Sequence, residues 1–158
     1  MPRILVTVAD SARLRTTALE IWRAADAARS RPAGETRTQR VRHRIDAAEL
    51  LLIAHYGPRP AGMLVAETYV EDGMPQPETG HISMAFVDPA VWGSRVGTTL
   101  VRDLQGREWS RLSVWTRTDN RRARRLFLAT DFADSGHRST LQDGEEIMQL
   151  LWHRAHSR

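Results

Sequence analysis

The sequence predicts a single α/β domain over residues 1–158, with one sheet flanked by helices. Two observations lead to this prediction. The chain has 158 residues and is 41% hydrophobic, which is enough to bury a core without disulfides or a structural metal. Its strand-like runs and helical periods follow the order β-α-α-β-β-β-α-β-α-β-β.

Each element follows from a local pattern. Short apolar or β-branched runs bounded by turn residues predict strands over residues 4–8, 50–56, 61–70, 81–87, 112–117, 132–141 and 147–152. Asp10 or Ser11 can cap a first helix, and a second, mostly polar helix is predicted over residues 35–49 with Val41 and Ile45 buried. Further helices are predicted up to about residue 109 and over residues 120–129.

Residues 71–80, EDGMPQPETG, contain two prolines and two glycines and predict a long loop. Three acidic residues lie in it, and Trp22 and Asp26 lie on the first predicted helix. Together these residues hint at an acidic, partly aromatic opening that would suit a cationic amine. Acidic residues in loops are also often simply solvated.

The stretch HISMAFVDPAVWGSRVGTTL, residues 81–100, combines a strand, a turn and a helix. The apolar run ends at Asp88-Pro89, and Gly93 and Gly97 precede a helical pattern. A glycine turn that leads into a helix exposes backbone N–H groups at the positive end of the helix dipole. The stretch therefore predicts an anion site, best suited to a phosphate.

Composition excludes several classes of site. The chain has no cysteine, so neither a disulfide, a thiol nucleophile nor a cysteine zinc site is available. Its six histidines form no H-x-x-x-H pair, and no metal is expected. No apolar run approaches the length of a membrane span, and the N-terminus does not resemble a signal peptide, so a cytoplasmic protein without a membrane partner is expected.

All 23 basic residues are arginine, which we attribute to codon usage in a GC-rich genome. The net charge of +4 is modest for a dedicated nucleic-acid binder, although it favours anionic ligands. Four arginines cluster at Arg121, Arg122, Arg124 and Arg125. Because successive helical residues point in different directions, most of them should be solvated.

VDPAVWGSRVGTTL, residues 87–100, resembles motif A of the GNAT superfamily of N-acetyltransferases, Q/R-x-x-G-x-G/A after a V-x-P strand end. Trp92 stands at the Q/R position, Arg95 at the first glycine and Gly97 at the second. TDNRRARRLFLATDFADSG, residues 118–136, resembles motif B, N-x-x-A-x-x-F-Y-x-x-x-G-F. Four of its residues are in register: Asn120, Ala123, Leu126 and Phe132.

The resemblance implies a GNAT-like fold, with a mixed, mostly antiparallel sheet and a splayed strand pair, and acetyl-CoA as co-substrate. The backbone of Phe86 and Val87 would pair with the pantetheine arm. The pyrophosphate would be surrounded by Gly93, Ser94, Arg95, Val96, Gly97 and Thr98. Asn120 would begin the motif B helix beside the cofactor.

Phe127 stands where many family members carry the tyrosine that acts as general acid toward the departing thiolate. Phenylalanine has no proton to donate, and acid help is often worth roughly 10²–10⁴-fold in rate. Thiolate is nevertheless a reasonable leaving group near neutral pH.

His81 is the first candidate for the general base, because histidine titrates in the useful range. Strand alternation puts Ser83 on the same face, and some family members carry histidines on the corresponding strand. Glu67, inside an apolar run, is the second candidate. A structural histidine and a solvent-facing glutamate explain the two residues nearly as well.

The sequence therefore predicts transfer of an acetyl group from acetyl-CoA to a primary amine, a small molecule rather than a protein, by direct attack. Two alternatives stay open: a non-catalytic CoA-binding module and an arginine-rich nucleic-acid-binding protein. A nucleic-acid partner is not favoured, because no aromatic residues interleave the arginine cluster. A homodimer is compatible with the sequence.

Overall fold

The computed structural model describes residues 2–29 and 33–155. Its strands are β1 (Ile4–Val8), β2 (Leu50–Tyr56), β3 (Arg59–Glu71), β4 (Met74–Val87), β5 (Arg111–Arg117), β6 (Ala133–Thr140) and β7 (Glu146–His153). Its helices are α1 (Ala12–Ala27), α2 (Glu35–Asp46), α3 (Val96–Gln105) and α4 (Arg121–Ala129), with a 3-10 turn at Pro89–Val91.

The strands form a seven-stranded sheet in the order β1-β2-β3-β4-β5-β7-β6. β4 and β5 run parallel, with Thr79–Ile82 of β4 opposite 111–114 of β5. The pairs β1–β2, β2–β3, β5–β7 and β6–β7 are antiparallel. The prediction of an α/β fold with a mixed, mostly antiparallel sheet is therefore confirmed.

Residue contacts divide the chain into two compact units. Unit 1 is drawn from Met1–Ala66 and Met84–Leu100, and unit 2 from Glu67–Ser83 and Val101–Arg158. The single domain over residues 1–158 stays a prediction, and its residues 1, 30–32 and 156–158 lie outside the described part of the chain.

The core of unit 1 consists of apolar side chains from the first two helices and from β2, β3 and β4. Ser11 caps α1 by accepting the Leu14 N–H at 3.2 Å. Val41 and Ile45 of the polar helix α2 are buried, as its thin apolar stripe predicts. The same cluster includes Ala18, Leu19, Ile21, Trp22, Leu51, Ile53, Met63, Val65 and Met84.

The core of unit 2 uses alternate residues of β5 and β7. Leu112 and Val114 are buried on β5, and their register partners Trp152 and Leu150 are buried on β7. Phe127 of α4 meets Phe132 edge to face, with the ring centroids 5.1 Å apart. The intervening residues of these strands, Ser113 and Gln149 among them, occupy the other face.

The long loop predicted over residues 71–80 is wrong. β3 runs to Glu71 and β4 starts at Met74, so the connection is a tight hairpin turn of two residues. Asp72 and Gly73 have φ values of 51° and 77°, and Asp-Gly is a favoured pair for a turn with two positive φ angles. The prolines that suggested a loop lie inside β4.

Several predicted boundaries also move. α2 ends at Asp46 rather than at residue 49, and α3 ends at Gln105 rather than near residue 109. Beyond Gln105 the Gly106 and Arg107 N–H groups bond to carbonyls three residues back, which closes the helix with a tighter turn.

Gly80 provides a test of packing in β4. A Cβ at this position would lie 2.5 Å from Cδ2 and 2.6 Å from Cε3 of Trp109. We expect Gly80→Ala to lower the free energy of unfolding by about 1–3 kcal/mol, measured by urea denaturation, because the indole must move. Gly106→Ala is the control, since its nearest neighbour is at an ordinary 3.4 Å. Equal losses in both variants would contradict this explanation.

Candidate functional site

The end of β4 is held by Asp88. Its carboxylate accepts the Ala90 N–H at 3.0 Å and pairs with the Arg59 guanidinium at 2.7 Å. The hydrogen bond from Ala90 lowers the pKa of the Asp88 carboxyl, and Arg59 adds to this effect against the opposing effect of partial burial. The Asp88 N–H donates to the Ala61 carbonyl at 2.8 Å, which ties the strand end to β3.

The turn between β4 and α3 uses two residues with positive φ, Gly93 at 86° and Arg95 at 70°. The first backbone bond into α3 runs from the Thr99 N–H to the Arg95 carbonyl at 3.0 Å. The N–H groups of Val96, Gly97 and Thr98 precede this bond and have no acceptor within the helix. The turn therefore presents donors at the positive end of α3, as an anion site requires.

Arg95 adopts a conformation that usually requires glycine. The left-handed backbone costs an L-residue roughly 1–2 kcal/mol. Its side chain is exposed, and within residues 2–29 and 33–155 its guanidinium makes no hydrogen bond or ion pair. A strained residue with a guanidinium on the surface beside helix donors fits a phosphate ligand.

Two backbone carbonyls near this turn are engaged by side chains. Trp92 Nε1–H donates to the Val87 carbonyl at 3.1 Å, and the Ser94 hydroxyl donates to the Val91 carbonyl. The Phe86 side chain packs against the core of unit 1. A backbone role for Phe86 and Val87 toward pantetheine stays a prediction. The Val87 carbonyl already accepts a hydrogen bond from the Trp92 indole.

The motif B residues lie in unit 2. Asn120 caps α4, as predicted, and accepts the Ala123 N–H at 3.1 Å. Phe127 is only 3% exposed, so its ring belongs to the core of unit 2. Asp131, at the motif's glycine position, has a φ of 74° and pairs with Arg102 at 2.9 Å. Contact of Asn120 and Phe127 with a cofactor stays a prediction.

The arginines of α4 do not form one continuous patch. Arg121, Arg122 and Arg125 are exposed, whereas Arg124 is partly buried and donates to the Thr118 carbonyl at 2.8 Å. The four side chains thus divide between solvent and structure, as helical geometry requires.

The candidate catalytic residues share one face of unit 2. Ser83 donates to Glu67 Oε2 at 3.0 Å, and the Tyr69 and His81 rings lie 5.6 Å apart. Alternation along β3 and β4 puts all four side chains on the same side of the sheet. We call this surface the polar face. It consists of Glu67, Tyr69, His81 and Ser83 together with Ser113 of β5, Ser135 and His137 of β6, and Gln149 of β7.

Sequence analysis missed the rest of the polar face. His81 Nδ1 lies 3.4 Å from Ser113 Oγ, and Gln149 Nε2 donates to that oxygen at 2.9 Å. Gln149 Oε1 lies 3.2 Å from Ser135 Oγ and 3.1 Å from His137 Nδ1. The available signal was a polar residue between apolar neighbours in each strand, Ser113 in β5 and Gln149 in β7.

The acidic, aromatic opening suggested for Trp22 and Asp26 is wrong, because both side chains are buried in unit 1. Asp26 accepts the Ala33 N–H at 2.9 Å and pairs with Arg29, so it stabilises the end of α1. A cavity of about 500 Å³ is lined by α1 and α2 instead. Its charged lining has an excess of arginine: Arg15, Glu20, Arg23, Arg42 and Asp46.

Within residues 2–29 and 33–155, no group of three or more histidine or carboxylate side chains could hold a metal ion. None of the described helices has both the length and the apolar character that crossing a membrane would require.

A family model, the acetyltransferase (GNAT) family, matches residues 15–132. Compared with curated protein sequences, the chain gives no significant match. Solved structures resemble it over nearly its whole length. A GNAT-family acetyltransferase from Bacillus cereus has a TM-score of 0.76 at 18% identity, over 98% of this chain and 99% of that one.

Two other structures show the same fold. YncA from Salmonella typhimurium, solved with its cofactor acetyl-CoA, has a TM-score of 0.68 at 15% identity, over 98% of this chain and 95% of that one. The ribosomal-protein-S18-alanine N-acetyltransferase from Escherichia coli has a TM-score of 0.69 at 14% identity, over 99% of this chain and 97% of that one. The family match covers more than half of the sequence, and the chain therefore belongs to the GNAT family of acetyltransferases.

Proposed function

We propose that this protein transfers the acetyl group of acetyl-CoA to a primary amine, and that the acceptor is a small molecule rather than a protein. The observation that carries the proposal is the turn between β4 and α3. In the register of motif A, Gly93 and Arg95 have positive φ and turn the first N–H groups of α3 toward a ligand. Acetyl-CoA in the YncA structure supports the choice of co-substrate.

The residues of this turn fit a pyrophosphate. The N–H groups of Val96, Gly97 and Thr98 supply donors without a Cβ at Gly97, and the Arg95 guanidinium supplies a charge. Gly93 has no neighbour within 4 Å of an added Cβ, so glycine is needed there for its φ of 86° and not for space.

Acetyl-CoA supplies an acetyl group on a thioester when it is bound. The chain must accept a proton from the substrate's ammonium group so that the neutral amine can attack the thioester carbonyl and the thiolate can leave, and two residues of the polar face can accept this proton. Glu67 is oriented by the Ser83 hydroxyl at 3.0 Å, as a carboxylate acceptor would be. His81 lies between Tyr69 and Ser113. No side-chain acid stands at Phe127, so the thiolate leaves without help from that position.

The acceptor, location and assembly belong to the same proposal. The Escherichia coli structure is named for an alanine of a ribosomal protein, which makes a protein N-terminus the competing acceptor class. We place the reaction in the cytoplasm, with acetyl-CoA and an amine as partners, and keep a homodimer as a further expectation.

A non-catalytic CoA-binding module is the second candidate, because Phe127 replaces the expected acid and is buried in the core. The test is release of free thiol from acetyl-CoA with a panel of small amines and with peptides carrying free N-termini. We expect release with at least one small amine. Binding of acetyl-CoA by calorimetry without release from any acceptor would establish the module instead.

Substitution of Arg95 tests its backbone strain and its phosphate binding separately. We expect Arg95→Gly to raise the free energy of unfolding by about 1 kcal/mol, because glycine adopts a φ of 70° without strain. The same variant should bind acetyl-CoA about tenfold or more weakly, since a charge-assisted hydrogen bond is worth roughly 1.5–3 kcal/mol. Urea denaturation and isothermal titration measure the two effects.

Two variants control this experiment. Arg95→Lys keeps the charge and should retain most of the affinity. Arg95→Asn tolerates the left-handed conformation but lacks the charge, so it should bind as weakly as Arg95→Gly. Wild-type affinity in Arg95→Gly would mean that the guanidinium does not contact a phosphate.

The polar face carries the catalytic prediction. We expect Glu67→Gln and His81→Ala each to lower kcat, by roughly 10²–10⁴-fold for whichever residue is the base. Glu71→Gln, at the exposed end of β3, and His153→Gln, at the exposed end of β7, are matched controls that should leave kcat unchanged. Full activity in both Glu67→Gln and His81→Ala would place the base elsewhere.

A further inference from the structure

Two buried polar residues extend the polar face beyond His81. Ser113 is 0% exposed and Gln149 is 5% exposed, although most of the buried side chains in their strands are apolar. Burying a hydroxyl or an amide is costly unless its donors and acceptors are paired. Here they are paired with each other, Gln149 Nε2 donating to Ser113 Oγ at 2.9 Å. The pair joins His81 of β4 to two residues of β6.

The direction of the Gln149 amide is set from β6. The register between β6 and β7 shifts between Asp134 and Arg138, and Gly136 within this bulge has a φ of 88°. Ser135 Oγ accepts the His137 N–H at 3.1 Å, and its hydroxyl donates to Gln149 Oε1 at 3.2 Å. Because Oε1 accepts from the Ser135 hydroxyl, Nε2 faces Ser113.

The next link in the network is Ser113. Its Oγ accepts from Gln149 Nε2 and carries one hydrogen of its own, for which His81 Nδ1, 3.4 Å away, is a partner. A ring nitrogen that accepts a hydrogen bond carries no proton. The neutral ring then has its proton on Nε2, since the partner of one nitrogen decides the state of the other.

We infer that Gln149 is a positioning residue, which acts through Ser113 to hold neutral His81 with its proton on Nε2. His81 then presents a donor at Nε2, and its lone pair at Nδ1 is engaged by a buried hydroxyl. The catalytic consequence rests on the proposed function. Glu67, whose carboxylate is oriented by the Ser83 hydroxyl, is the residue that takes the amine proton, and His81 orients the reacting groups.

Nitrogen-15 NMR of the His81 side chain in the full chain tests the inference without any substrate. Wild-type His81 should show Nδ1 without a proton, but imidazole in water already favours this form. The decisive variant is Gln149→Glu, whose carboxylate has acceptors alone. Ser113 must then donate to residue 149 and accept from His81, so we expect the proton to move to Nδ1. A folded Gln149→Glu variant that keeps the proton on Nε2 overturns the inference.

Gln105→Glu is the matched control. Gln105 is another buried glutamine of unit 2, and its Nε2 donates to the Thr130 carbonyl at 2.6 Å. This variant adds the same charge away from His81 and should leave the His81 spectrum unchanged. Ser113→Ala covers the case in which Gln149→Glu does not fold. In Ser113→Ala, the His81 Nδ1 resonance should shift to the position of a nitrogen that has lost a hydrogen bond. An unchanged His81 Nδ1 resonance overturns the inference.

Kinetics test the catalytic consequence separately. Gln149→Glu should lower kcat roughly tenfold or more with KM for acetyl-CoA unchanged, because it misorients His81. His81→Gln keeps a donor and should retain more activity than His81→Ala. Glu67→Gln is an equally conservative change, but it should not retain activity. Equal loss in the two His81 variants would overturn the role of His81 as a donor. If no amine is acetylated, the proposed function fails, and the NMR result still decides the role of Gln149.

Discussion

The backbone turn between β4 and α3 is the constraint on which the functional interpretation depends. A strand must end and a helix must begin within a few residues, while the first N–H groups of the helix stay available to a ligand. Asp88 ends the strand by accepting the Ala90 N–H, and positive φ angles at Gly93 and Arg95 reverse the chain. A helix start of this kind favours a negatively charged group, because its dipole and its N–H groups act together.

Departures from the family motifs change side chains more than they change the backbone. Arg95 and Asp131 both stand at consensus glycine positions, and both have a positive φ, which glycine adopts most easily. Each replacement places a charged group at a turn: Arg95 is exposed, and Asp131 pairs with Arg102 at 2.9 Å. A strained backbone persists where the surrounding structure requires it. A motif match by residue type therefore misses a backbone feature that these two positions share.

We propose the polar face, rather than the position of Phe127, as the place where protons are transferred. Phe127 packs on Phe132 in the core, while groups that can exchange or orient protons lie on the other side of unit 2. Glu67 with Ser83 and His81 with Ser113 form two oriented pairs on adjacent strands. The buried Gln149 amide is hydrogen-bonded at both Nε2 and Oε1. Such a network is rigid, because breaking one of its bonds leaves a buried polar group without a partner.

Sequence alone determined the order of the elements, the strand–turn–helix arrangement around Gly93 and the capping role of Asn120, because these depend on neighbours within a few residues. It also placed His81 and Ser83 on one face by alternation. Tertiary structure decided the rest. Hairpin pairing made residues 74–80 a strand despite two prolines, and helix packing buried Trp22 and Asp26. The contacts of Glu67 with Ser83 and of His81 with Ser113 and Gln149 join residues far apart in the chain. Strand register creates such contacts, and local patterns do not encode register.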